Sequence, residues 1–74
     1  MTIDELSRMA DECAADTANA RRMMGGRYAQ RAVRALNRGD IGGAKCEMVD
    51  AILHWPPFAN ALPDELDERP GDAN

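Results

Sequence analysis

Gly39-Asp40-Ile41-Gly42-Gly43-Ala44-Lys45-Cys46-Glu47-Met48-Val49-Asp50-Ala51-Ile52-Leu53-His54-Trp55-Pro56-Pro57-Phe58 is the stretch on which the fold turns. Gly39 ends one helix as a C-cap residue, and Asp40 can N-cap the next. Residues 41 to 55 then read as a helix with apolar residues at Ile41, Ala44, Met48, Ala51, Ile52 and Trp55. Pro56-Pro57 stops it, because proline has no amide hydrogen to continue the ladder. Such a helix needs a surface to pack on, and the rest of the chain has to supply it.

Upstream, residues 27 to 38 read as a second helix. Arg27, Arg31, Arg34 and Arg38 are spaced 4-3-4 and line one face. Tyr28, Ala32, Ala35 and Leu36 lie to one side of that row and are expected to face the core, with Val33 further round. Residues 2 to 24 read as a first helix. Thr2 and Glu5 form a capping-box signature, and Asp4 and Glu5 suit the positive end of a helix. Ile3, Leu6, Ala10, Cys13, Thr17, Ala20 and Met24 follow a coiled-coil-like spacing with small residues in the middle. That seam serves as a packing face, as a dimer or partner surface, or as both. Gly25-Gly26 is expected to break or kink the helix, since two mid-helix glycines cost roughly 2 kcal/mol relative to alanine; the alternative is one long helix that continues through Gly26.

The remainder is of different character. Phe58 to Leu62 fits one short turn of helix. Residues 63 to 74 hold five acids and one arginine with two prolines, and read as a disordered acidic tail. One helical domain over residues 1 to 62 plus that tail is the expected organisation. Charge is uneven along it: residues 25 to 40 hold four arginines against one aspartate, a net of +3, while the tail nets -4.

At 74 residues the chain can bury only a small core, and much of its apolar content is alanine. Small domains without disulfides or metal commonly need a second chain, so a homodimer is expected. Cys13 and Cys46 form no disulfide framework and no CxxC pair, and they read as free core thiols in a reduced, cytoplasmic setting. The start has no basic, apolar leader, and nothing approaches the length of a membrane span. A formal net charge of -4 opposes non-specific nucleic-acid binding by the whole chain.

No residue set forms a catalytic motif. His54 and Cys46 lie eight residues apart, about 12 Å along one helix, too far to act as a dyad there. Cys13, Cys46 and His54 lack the close ligand pair of a zinc site. No metal or cofactor is expected. The features left over are of the interaction kind. Trp55-Pro56-Pro57-Phe58 is a rigid apolar step, and tryptophan is enriched at interface hot spots. The arginine row can bind carboxylate or phosphate.

Residues 25 to 56 resemble one tetratricopeptide-type repeat. Tyr28 takes the early aromatic place, Ala32 the small one, Gly39-Asp40 the turn, Ala44 and Ala51 the alanines of the second helix, and Pro56 the closing proline. The chain departs from that pattern at Arg31 and Ala35, where larger apolar residues are usual, and it holds one copy only. The resemblance therefore implies an antiparallel helix hairpin and no peptide-binding groove.

The Ala44-Lys45-Cys46-Glu47-Met48-Val49-Asp50-Ala51 run and Trp-Pro-Pro-Phe, on one short helical chain, resemble small phage accessory proteins, above all the phage anti-activator family that blocks bacterial quorum sensing. That resemblance implies a helical dimer that keeps a LuxR-type transcription activator off DNA and interferes with host pilus assembly. No binding residue of that family is placed here.

The expectation is an all-α chain with its N-terminal helix packed on an antiparallel hairpin. It would act as a non-enzymatic inhibitor of a host regulatory protein in the bacterial cytoplasm. Tyr28, Trp55 and Phe58 would be anchors, and Arg27, Arg31, Arg34 and Arg38 steering charges. The alternative is a small nucleic-acid-binding regulator that uses the arginine face.

Overall fold

The computed structural model describes residues 1 to 67. It is all-α: α1 (Ile3–Ala14), α2 (Ala20–Asn37) and α3 (Ile41–His54), followed by 3-10 turns at Pro56–Asn60 and Asp64–Leu66. α1 and α3 each pack on α2, and the two 3-10 turns pack on α3. α2 is thus the central element.

Each helix begins where a side chain can take up its first free amides. Thr2 Oγ1 accepts from the Glu5 amide at 3.1 Å, and Glu5 Oε1 accepts from the Thr2 amide at 3.1 Å, a complete capping box. Asn19 Oδ1 accepts from the Arg22 amide at 3.2 Å and starts α2. Asp40 Oδ1 accepts from the Gly43 amide at 2.9 Å and starts α3. Between α2 and α3, Gly39 has φ +79, the left-handed conformation that glycine adopts without penalty. The Gly39 amide donates to Leu36 O and the Asp40 amide to Ala35 O, the paired bonds of a Schellman turn. The chain reverses there. The start of α2 meets the end of α3, so α2 and α3 form the antiparallel hairpin expected from residues 25 to 56.

The first helix is shorter than its periodicity implied. It stops at Ala14, residues 15 to 19 make a turn, and α2 runs unbroken through Gly25-Gly26. The break therefore lies six to ten residues before Gly25. Asp16 and Asn19 cause it. Asp16 Oδ2 accepts from Arg22 Nη1 at 2.9 Å across the turn, while Asn19 caps the next helix. Thr17 and Ala20, read as part of a seam, are exposed.

The two glycines stay helical because both faces they present are crossings. A Cβ on Gly25 would stand 2.6 Å from Trp55 Cβ and 3.1 Å from Ala51 O of α3. A Cβ on Gly26 would meet Ala14 N, with Ala10 O at 2.7 Å and the Cys13 carbonyl carbon at 2.8 Å, all in α1. Adjacent positions on a helix point about 100° apart. One glycine therefore admits α3 and the other admits α1.

The core is thin. Seven of its fourteen buried hydrophobic residues are alanine, which lets backbones approach but buries little area. Leu6, Met48 and Phe58 supply the bulk and are 2 % exposed or less. The apolar residues read along α3 divide: Ala44, Met48 and Ala51 are buried, Ile52 and Trp55 partly so, and Ile41 is exposed. Residues 63 to 67, expected to be disordered tail, are part of the fold. Pro63 and Leu66 are buried, and Asp64 Oδ1 lies 3.5 Å from the Met1 ammonium while its amide donates to Met1 O. Leu66 has an apolar side to bury, which an acid count along the segment does not register. The rest of that tail, residues 68 to 74, lies outside the described residues.

Candidate protein-interaction surfaces

All four arginines of the row, three on α2 and Arg38 at its C-cap, are exposed. Arg38 Nη2 lies 3.6 Å from Asp40 Oδ2, an exposed pair. Among the described residues, Arg27, Arg31 and Arg34 form no salt bridge. The row is the side of α2 turned away from α3, because Gly25, Ala29, Ala32 and Leu36 occupy the opposite side of the wheel. A strip of positive charge therefore faces outward with little to neutralise it.

Tyr28 ties that strip to α3. The Arg31 guanidinium lies over the Tyr28 ring, 5.3 Å from its centroid. The other neighbour of the ring is His54, stacked at 5.1 Å with 29° between planes. His54 Nδ1–H donates to Asp50 O at 2.9 Å, since a carbonyl can only accept, so Nε2 is the acceptor in the neutral ring. The cation, the phenol and the imidazole form one column across the hairpin. Cation–π contact at an exposed site contributes about 0.5–1 kcal/mol. Tyr28 and Trp55 are both half-buried, which keeps them ordered with one side in solvent.

Phe58 does not belong to this surface. It is 0 % exposed and forms part of the central core. Pro56-Pro57 sends the chain into a 3-10 turn that carries Phe58 inward, so it is a core residue and not an anchor. The α1 seam is likewise used up inside the chain. Leu6, Ala10 and Cys13 are 2 % exposed or less, and α1 turns them toward α2. They offer nothing to a second protein.

The outer face of α3 is a surface that reading by periodicity passed over. Gly42, Cys46, Val49 and Leu53 are spaced 4-3-4 and are all exposed, Val49 at 57 % and Leu53 at 71 %. Beside the stripe, Lys45, Met48, Val49, Ile52, Leu62 and Leu66 line a shallow apolar groove of about 250 Å³. The signal in the sequence was an α3 apolar on two opposite sides, with Ala44, Met48 and Ala51 on one and Val49 and Leu53 on the other.

The two thiols differ. Cys13 is buried, and loss of solvation pushes its pKa up, so it stays a neutral thiol. Cys46 is exposed, which corrects its reading as a core residue. Around the α1–α2 turn, the hydrogen bond from Arg22 holds the Asp16 carboxyl below its ordinary range. Among the described residues, no group of three or more His, Cys, Asp or Glu is placed to hold a metal ion, and no helix is long and apolar enough to cross a membrane.

Comparison with protein-family models, curated proteins and solved structures finds no match to this chain.

Proposed function

We propose that this protein is a non-enzymatic interaction module that binds an acidic surface of a host regulatory protein and inhibits it. The observation that carries this is the outward arginine strip beside a fixed aromatic column, with Arg27, Arg31 and Arg34 outside any salt bridge among the described residues. Exposed guanidinium groups fork onto carboxylates, and half-buried Tyr28 and Trp55 add apolar contact at low ordering cost. Arg27, Arg31, Arg34 and Arg38 set the association rate, and Tyr28 and Trp55 set the residence time. A LuxR-type activator is the first target to test, on the resemblance of the 44–51 run and the Trp-Pro-Pro-Phe step to the phage anti-activator family.

The test is operator binding by a purified LuxR-type activator with and without this protein, at a series of salt concentrations. Loss of operator binding is expected with the wild type. The double variant Arg31→Glu, Arg34→Glu should slow association by about tenfold or more at low salt. An activator that stays on its operator at all ratios overturns this target. Inhibition that ignores the charge reversal overturns the arginine site.

The same strip also supports a second reading, a small nucleic-acid-binding regulator. Direct titration of duplex DNA separates the two. Phosphate contacts through four arginines predict affinity falling with salt at a log–log slope of about -3 to -4.

A further inference from the structure

The strip of Arg27, Arg31, Arg34 and Arg38 is straight and narrow. It follows one helix and its C-cap for about 16 Å, in steps of about 6, 4.5 and 6 Å. Both of its borders are acidic. On the α1 side, Asp11 Oδ1 accepts from Gln30 Nε2 at 2.9 Å, which holds that carboxylate against α2. Ser7, Asp11, Gln30, Val33 and Arg34 line one small notch, so Asp11 and Arg34 are neighbours there without forming a salt bridge. Asp4 is exposed on the same side of α1, seven residues before Asp11, while Arg8 stands further round that helix. On the α3 side, His54 stacks on Tyr28 and marks the flank of α3 that runs beside α2. Asp50 and Glu47 lie four and seven residues before it on that flank, both half-buried. Glu47 Oε2 is buried with no hydrogen-bond partner.

We propose that the strip docks a single acidic α-helix of the partner, with carboxylates at the same 4-3-4 spacing and basic residues beside them. The assignment rests on the reading of the strip as a site for an acidic protein surface, and it names the shape of that surface. A helix lying alongside α2 repeats its side chains with the same rise, so each carboxylate can meet one guanidinium. Alternate residues of an extended strand are about 6.7 Å apart and would span about 20 Å over the same three steps, out of register with the last arginine. Duplex DNA is the wrong shape of charge. A helix in its major groove has phosphates along both shoulders, and here the shoulders are Asp4 and Asp11 on one side and Glu47 and Asp50 on the other. Those carboxylates repel phosphate, whereas they attract basic residues that flank an acidic stripe. Tyr28, held between Arg31 and His54, offers a flat face for the stems of those residues.

The test measures binding of the full chain to three labelled probes by fluorescence anisotropy at low salt. One is an alanine-based helical peptide of about 18 residues, with four glutamates at 4-3-4 spacing and lysines beside them. The second is its isomer, equally helical by circular dichroism, with the glutamates spread around the helix. The third is a short DNA duplex. The striped peptide should bind about tenfold or more tighter than the isomer, and the double variant Arg31→Glu, Arg34→Glu should abolish that preference. The double variant Asp11→Asn, Asp50→Asn, folded by circular dichroism, should bind the duplex about threefold or more tighter than the wild type. Equal binding of the two peptides, lost on arginine reversal, overturns the single-helix geometry and leaves the acidic-partner reading standing. Binding of neither peptide overturns both. A wild-type chain that prefers the duplex to the striped peptide overturns the assignment in favour of nucleic acid. Unchanged duplex affinity in the asparagine variant overturns the part given to the acidic borders.

Discussion

Gly26 is the residue on which the packing of α1 depends. An added methyl would run into the backbone at Ala14, Ala10 O and Cys13. Backbone cannot rotate aside as a side chain can, so α1 would have to lift. Gly26→Ala is therefore expected to destabilise by about 1–3 kcal/mol although alanine is the better helix former, as measured by urea denaturation. A stabilised variant would show that the crossing is looser than described. Gly25 works by the same means against Trp55. Sequence reading took this pair for a helix break because helix propensity counts what glycine costs alone. It does not count the approach of two neighbouring helices that only glycine permits.

At the scale of elements, the short turn from residue 15 to 19 decides the topology. It converts one long helix into two that pack side by side. Asn19 accepts the Arg22 amide to open α2, and Asn19→Ala should cost about 1 kcal/mol, read as a lower urea midpoint. Asp16 across the turn adds a dependence on pH. Its carboxyl titrates lower in the folded chain than in the unfolded one because Arg22 donates to it. Glu5 does likewise, chiefly because its carboxylate accepts the Thr2 amide of the capping box. A folded pKa below the unfolded value gives stability that is present above the ordinary carboxylate range and lost as pH falls through the folded value. Stability should therefore drop below about pH 4, and Asp16→Asn should flatten part of that drop in a pH series of melting temperatures. An unchanged acid limb would remove the Asp16–Arg22 contact from the account.

For the whole molecule, a small alanine-rich core is closed by the chain's own C-terminal segment. Phe58, Ala61, Pro63 and Leu66 are all buried, and Asp64 joins Met1. Residues near both ends are thus held in one cooperative unit. The two cysteines report on it independently. Exposed Cys46 should alkylate at the rate of a free thiol at every denaturant concentration. Buried Cys13 should react only as fast as the unit opens, so its protection should track the global unfolding free energy. Equal rates for the two under native conditions would mean that α1 opens by itself. Opening there would also free the Leu6–Ala10–Cys13 face that the fold now buries.

Helical class, the three N-cap residues Thr2, Asp40 and, in retrospect, Asn19, the Gly39 turn and the double-proline stop are all local matters. The residues that cause them lie within four positions of their effect, so the sequence by itself determined them. The arginine strip was legible for the same reason, since helix periodicity alone places it on one face. Tertiary structure alone decided the rest. It made Gly25-Gly26 a crossing, Phe58 a core residue, Pro63 to Leu66 part of the fold and the α1 seam an internal surface. Each of those outcomes depends on which distant segment fills a given space, and a thin core offers few large side chains to announce it. The outer face of α3 belongs to this second group. Its apolar residues were visible all along, and the fold left them outside because α2 and the C-terminal turns had already covered the rest of that helix.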